Sequence, residues 1–261
     1  MATGTVNTHI RTPWSQVLVS CYFWFTLFFI SALLFPFAIL IWLITLPFDR
    51  RRYLLHQFTC GWSDIMLGIN PYWTVKIRGR EKIDPHKVYV MVANHSSGVD
   101  ILVLFKLHRH FKWVAKKDLF RIPFIGWNMA LNGYIPIERA RGRSKLQMMD
   151  KAAAVIRQGN SVILFPEGTR TRDGRLQPYK SGAFRLAQET GTPVLPVVIG
   201  GTFHAIRKGG FLIHKNHSIT LTILDPVATE TVNSLDAKSL AQNIYNQTQA
   251  ELERVVTTGV G

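Results

Sequence analysis

Thirty-five consecutive residues without a charge, Trp14 to Phe48, constrain this chain more than any other feature, because so long an apolar run cannot face water. The run includes Tyr22-Phe23-Trp24-Phe25, Phe28-Phe29 and Trp42, and Asp49-Arg50-Arg51-Arg52 follows at once. As helix it would measure about 52 Å against a hydrocarbon core of about 30 Å, so one upright span fits poorly. Pro36 offers a break. Trp14 to Phe35 is long enough to cross and Phe37 to Phe48 is not, which leaves a tilted span or a re-entrant hairpin. A cleaved signal peptide is disfavoured by the length of the run, by a front carrying only Arg11, and by the lack of a small-x-small site after it. Arg50, Arg51 and Arg52 argue for a body on the cytoplasmic side, which makes the cytoplasmic (inner) membrane the expected location.

Charge supports a partner that is anionic. The 31 basic and 16 acidic residues leave +15, and because residues 217–261 hold two basic against five acidic side chains, the first 216 carry +18. Such a field attracts nucleic acid or anionic lipid alike, and the apolar run selects lipid. Cys21 and Cys60 make neither a disulfide framework nor a metal site, and the nine histidines show no His-x3-His or His-Glu-x-x-His spacing. His108 and His110 read as a basic surface pair, and no metal is expected.

Beyond Cys60 the pattern alternates. Trp73 to Ile77, Lys87 to Ala93, Phe111 to Ala115, Tyr134 to Ile137, Ser161 to Phe165, Val194 to Ile199 and Ile219 to Leu224 are short β-branched or aromatic runs that predict strands. Leu146, Met149, Ala153 and Ile156 keep helical spacing up to Gly159, Ser181 to Thr190 ends at Gly191, and Leu240, Ile244 and Leu252 mark a C-terminal helix. The expected fold is α/β, a mostly parallel sheet of about seven strands flanked by helices. Residues 1–60 form the membrane-anchoring segment and 61–261 a single α/β domain.

The chemistry-bearing residues fall at strand ends. In Asn94-His95-Ser96-Ser97-Gly98-Val99-Asp100, five positions rotate a helix by about 500°, so His95 and Asp100 would point about 140° apart on one regular helix and could not pair. With His95 in a strand-to-helix turn, Ser96 or Ser97 as N-cap and Asp100 in the first helical turn, the carboxylate folds back to orient the imidazole. Taken alone, such a pair is more often structural. Phe165-Pro166-Glu167-Gly168-Thr169-Arg170 suits an anion: Gly168 can take positive φ and present N–H groups, Thr169 can donate its hydroxyl, and Arg170 can fork onto phosphate oxygens. Glu167 would repel a phosphate, so it would position an arginine or accept from a substrate hydroxyl. The alternative for this cluster is a turn with a solvated ion pair. Arg139 ends the Tyr134 to Ile137 strand, and parallel neighbours would bring it to the same rim as His95 and Glu167 to Arg170. Lys180, at the edge of the Ser181 helix, is either a further anion ligand or an exposed lysine.

Four blocks in this order, Asn94-His95-x4-Asp100, Gly133-x-Ile135-Pro136-Ile137-x-Arg139, Phe165 to Arg170 and Val194-Leu195-Pro196-Val197, resemble the glycerolipid acyltransferases typified by 1-acyl-sn-glycerol-3-phosphate acyltransferase. Trp113 to Trp127 is similar to the stretch that bacterial members carry between the first two. Thr171 and Gly98 depart from the usual serine and bulky residue, which bears on substrate identity. The resemblance implies transfer of a fatty acyl group from acyl-CoA or acyl carrier protein to the sn-2 hydroxyl of lysophosphatidic acid, giving phosphatidic acid in phospholipid biosynthesis. His95 would be the general base and Asp100 its orienter. Lys116 or nearby N–H groups would stabilise the oxyanion, and Arg139, Gly168, Thr169 and Arg170 would hold the phosphate. A leaving thiol of pKa about 8.5 needs no strong acid, so no cofactor is called for. Leu119 to Trp127 would line an acyl groove or touch lipid. Glycerol 3-phosphate or a lyso-aminolipid remains an alternative acceptor. A serine hydrolase lacks its Gly-x-Ser-x-Gly elbow, a nucleic-acid module finds only Lys208-Gly209-Gly210-Phe211, and a non-catalytic lipid scaffold would not need His95, Asp100, Arg139 and Glu167 together.

Overall fold

The computed structural model describes residues 14–138, 142–214 and 217–257. All seven apolar runs form strands: β1 (Trp73–Arg78), β2 (Val90–Ala93), β3 (Phe111–Lys116), β4 (Ile135–Ile137), β5 (Ser161–Leu164), β6 (Val194–Gly200) and β7 (His217–Ile223). They build one sheet in the order β1-β7-β6-β2-β5-β3-β4, parallel throughout except where β6 meets β7. The three central strands β2, β5 and β6 are buried along their whole length, which is why they read as unbroken Val/Ile/Leu runs rather than as alternation.

Helices cover both faces. One face packs Met91, Leu104, Phe111 and Leu195 beneath α2 (Tyr53–Gly68) and α3 (Val99–Phe105). The other packs Val90, Val162, Phe184 and Ile244 beneath α5 (Gly142–Arg157), α6 (Gly182–Thr190) and α8 (Ala237–Thr257), with α4 (Ile125–Leu131) and α7 (Thr229–Ser234) as short connectors. Gly191 closes α6 at φ 60°, a conformation that costs a residue with a Cβ.

The apolar run forms a single helix, α1 (Trp14–Thr45), that continues through Pro36, so the expected break is not where the chain turns. Packing overrides the proline: before it Phe35 packs at a tilt on Phe124 and Trp127, with ring centroids 5.9 and 5.5 Å away, and after it Ala38 is buried with Leu55, Trp62 and Met66 of α2. The chain reverses after Thr45, where Arg52, at φ 57°, caps α4 by donating to the Ala130 carbonyl at 3.2 Å and to the Leu131 carbonyl. Position 60 falls inside α2, which packs on both α1 and α3.

One side of α1 is seated along the body. Gln16 Nε2 lies 3.0 Å from His214 Nδ1, the Ser20 hydroxyl accepts the Ile213 N–H at 2.8 Å, and Trp24 Nε1 donates to the Phe211 carbonyl at 2.8 Å. The opposite side exposes Leu18, Tyr22, Phe25, Phe29, Leu33 and Leu40. The expected basic surface pair is also revised. His108 Nε2 meets Asp64 at 2.7 Å, and His110 packs on His56, where burial lowers its pKa to about 3 and keeps it neutral.

Candidate active site

Strand register builds the site. Val92 pairs with Leu164 across β2 and β5, so three residues further on His95 meets Glu167: Glu167 Oε1 accepts the His95 N–H at 2.6 Å. On the other side of β2, Asn94 behaves as an extra rung toward β6, its carboxamide accepting the Ile199 N–H and donating to the Ile199 carbonyl, both at 2.8 Å. The His95 turn is thus tied to both neighbouring strands before any substrate arrives.

His95 and Asp100 do meet, at 2.9 Å between Nδ1 and Oδ2. The capping differs from the expected one. Gly98 is the N-cap of α3 and makes no side-chain cap bond. Instead Asp100 Oδ2 reaches back to accept the N–H groups of Ser96 at 2.7 Å and Ser97 at 2.8 Å. The Ser97 hydroxyl accepts the Val99 N–H at a long 3.4 Å and donates to the Ile206 carbonyl at 2.8 Å. Asp100 is fully buried, and its second oxygen accepts from the Thr202 hydroxyl, just beyond β6. With Nδ1 committed to Asp100, Nε2 is the ring nitrogen available for proton transfer. The imidazole stacks flat on Phe165, with centroids 3.9 Å apart and planes 10° apart.

Among the described residues, the Glu167 carboxylate is partnered by backbone N–H groups and not by an arginine. Its second oxygen accepts the Gln177 N–H at 3.0 Å, so the carboxylate joins the His95 turn to the 171–177 loop, and the Thr171 N–H returns to the His95 carbonyl at 3.0 Å. Burial raises the Glu167 pKa to about 7, against which the two N–H donors hold it down. Gly168 takes φ 75°, as its place in the turn requires, and a Cβ there would stand 2.6 Å from Lys180 Nζ. Lys208 Nζ donates to the Thr169 hydroxyl at 2.9 Å and to the Arg170 carbonyl at 2.8 Å, and Arg170 Nη1 lies 3.7 Å from where a Cβ on Gly98 would be. Lys116 ends β3 in an ion pair with Asp118. Arg139 lies outside the described residues. The strand that precedes it, β4, is three strand spacings from β2, about 14 Å along the sheet.

Two cavities meet at this rim. One, of about 250 Å³, runs beneath α1 and α2 and is lined by His95, Phe165, Trp113, Lys116, Leu119 and Met129. The other, of about 340 Å³, lies across the sheet between α5 and α6, lined by Met148, Met149, Ile137, Lys180 and Gly182, and shares Val114 and Phe165 with the first. Asn94, Phe165, Thr202 and Lys208 went unassigned in the sequence. Asn94 and Phe165 stand inside recognisable blocks, whereas nothing local marks Thr202, which acts on a residue 102 positions away.

A family model described as Acyltransferase matches residues 74–200, from β1 to the end of β6. The chain is 36% identical over 184 residues to the chloroplastic 1-acyl-sn-glycerol-3-phosphate acyltransferase BAT2 of Brassica napus, covering 70% of this chain and 53% of that protein. It is 34% identical over 229 residues to the 1-acyl-sn-glycerol-3-phosphate acyltransferase of Limnanthes douglasii, covering 85% and 79%. The chain spans about half the length of the chloroplastic relatives it matches. The crystal structure of the 1-acyl-sn-glycerophosphate (LPA) acyltransferase PlsC from Thermotoga maritima superposes with a TM-score of 0.73 at 23% identity, over 93% of this chain and 97% of that one, a likeness of fold. The fold, the block-bearing strands and a relative matched over most of its length agree: the chain belongs to the acyltransferase family.

Proposed function

We propose that the protein transfers a fatty acyl group from a thioester donor to the sn-2 hydroxyl of 1-acyl-glycerol-3-phosphate, forming phosphatidic acid. The observation that carries this reading is an imidazole whose Nδ1 is held by a buried aspartate and whose ring lines an apolar cavity of about 250 Å³. The names of the relatives support the same acceptor.

His95 Nε2 takes the proton of the acceptor hydroxyl as its oxygen attacks the thioester carbonyl, and Asp100 supports the imidazolium that forms. The carbonyl π pair moves to oxygen and returns as the C–S bond breaks. The departing thiolate takes the proton from imidazolium, leaving an ester, a thiol and neutral His95. A thiol of pKa about 8.5 leaves without a metal or cofactor. Thr169, Arg170 and Lys208 gather beside the His95 turn, where the acceptor phosphate would sit, with Arg139 as a further candidate for the same charge. Lys116 lines the same cavity as His95. The fatty chain occupies the cavity.

Because α1 is seated on the body along its length, its exposed aromatic and aliphatic side lies in one leaflet, with the basic body toward the cytoplasm. The test is an assay of the purified protein in phospholipid vesicles with a panel of lysolipids and glycerol 3-phosphate, using acyl-CoA and acyl carrier protein donors, read by the mass of the product. Phosphatidic acid from lysophosphatidate is expected. Product only from glycerol 3-phosphate or a lyso-aminolipid overturns the acceptor, and no product with any pair overturns the reaction.

A further inference from the structure

The reaction proposed above brings two phosphorylated molecules to His95, a lysolipid from the membrane and a carrier whose thiol ends a phosphopantetheine arm. The site has a cationic group on each side of the sheet. Arg170 and Lys208 lie toward α3 and the 202–214 loop, the loop on which the N-terminal part of α1 is seated, and so on the membrane side. Lys180 lies across the sheet at the start of α6, against Gly168.

The cavities divide in the same way. The 250 Å³ cavity reaches Leu27 and Ser31 of α1, whereas the 340 Å³ cavity is walled by α5 and α6, on the face away from α1. Among the described residues Val114 and Phe165 line both cavities and so stand between them, and Phe165 is the ring on which His95 stacks. A thioester carbonyl held beside His95 at the edge of Phe165 would have one cavity on the side of the membrane helices and the other on the aqueous face. The fatty chain suits the first. The second is apolar along Ile137, Met148 and Met149, carries Glu138, which is paired with Lys117, and Lys180 as its charged groups, and its volume lies in the range of small-ligand sites, about 300–1,000 Å³.

Resting on the acyl-transfer reading, we infer that the cavity between α5 and α6 holds the 4′-phosphopantetheine arm of the donor, with Lys180 on its phosphate. The arm is common to coenzyme A and acyl carrier protein, so the cavity accepts either, and the rest of the carrier stays outside at the α5–α6 edge. A donor threaded in this way enters from water and leaves its tail beneath α1, while the lysolipid approaches from the membrane side. The two substrates then do not compete for one entrance.

Gly182 provides the test. It lines this cavity, and a Cβ placed on it meets no atom within 4 Å, so position 182 has room for a side chain and Gly182→Phe adds bulk at the cavity. Gly182→Phe should raise KM for the acyl donor at least about tenfold and leave KM for the lysolipid within about twofold. Lys180→Ala, on an exposed side chain, should raise donor KM in the same sense and weaken inhibition by free 4′-phosphopantetheine, which the wild type should show competitively against donor. Calorimetric binding of coenzyme A and of holo acyl carrier protein to wild type and both variants needs no turnover, so it reads the cavity even where transfer itself fails. Binding of one carrier only names the donor. Unchanged donor binding in both variants, or a rise confined to lysolipid KM, overturns the assignment.

Discussion

Two buried polar clusters sit at opposite ends of the sheet, and each contains a group that burial has moved to a pKa of about 7. At the N-terminal end of β3, Lys112 is lowered from 10.5 by desolvation, and past the C-terminal ends of β2 and β5, Glu167 is raised from 4.5 by the same cause. The Lys112 ammonium donates to the carbonyls of Arg51 at 2.8 Å and Asn132 at 2.6 Å, fastening the α1–α2 connection and the end of α4 to the sheet. Beside it His56 spans Tyr134 Oη and the Arg109 carbonyl, both at 2.9 Å, so both of its ring nitrogens are occupied. Glu167 is likewise spent on two backbone N–H groups, but its neighbour His95 has only Nδ1 committed and lines a cavity. A displaced pKa therefore marks burial at both ends. Chemistry is marked by the ring nitrogen left beside a space that a substrate can fill.

The comparison breaks first at His95. His95→Ala should lower transfer at least about 10³-fold in a protein that still folds, at a stability cost of about 1–3 kcal/mol for the lost Asp100 partner and Phe165 contact, and turnover near wild type would remove the distinction between the two ends. Lys112→Met should spare the chemistry. It strands one buried and one half-buried carbonyl and should cost about 2–4 kcal/mol in urea unfolding, with kcat of the folded protein unaltered. A fall in kcat at unchanged stability would show that the two ends are coupled.

Stability against pH sharpens the contrast, because the two groups act with opposite sign. Folded Glu167 keeps a proton that the unfolded chain releases, so its contribution is full below pH 4.5 and is lost as pH rises through about 7. For Lys112 the unfolded chain binds the extra proton, so its contribution is full above pH 10.5 and is lost as pH falls through about 7. Glu167→Gln should flatten the falling limb between pH 4.5 and 7, and Lys112→Met the rising limb between 7 and 10.5. Denaturation across pH checks both, and limbs that survive their own substitution refute the assignment. The smallest effect belongs to Gly98→Ala. Its Cβ would make only an ordinary 3.7 Å contact with Arg170, so stability should change by less than about 0.5 kcal/mol, and a shift of a few-fold at most should appear in lysolipid KM.

Much of this was readable from local pattern. Strands buried on both faces must be apolar at every position, so β2, β5 and β6 announce themselves, and the five-residue spacing of His95 and Asp100 excludes one helix and demands a turn. Pro36 misleads because intrinsic propensity is weaker than the packing of Phe35 and Ala38 on either side of it. Glu167 is less legible: charge suggests an arginine or a substrate hydroxyl as its partner, whereas among the described residues two backbone donors hold it.

By itself the sequence determined what depends on near neighbours along the chain: the strands and helices, an apolar α1 that needs an apolar surrounding, and the residue types at the rim. Only the tertiary structure decided what depends on register and on contacts between distant residues: Thr202 on Asp100, Asn94 on Ile199, Lys112 on the Arg51 carbonyl, and two cavities divided by Phe165. The physical reason is that strand order and burial choose which polar groups are left facing one another without water, and no local pattern encodes that choice.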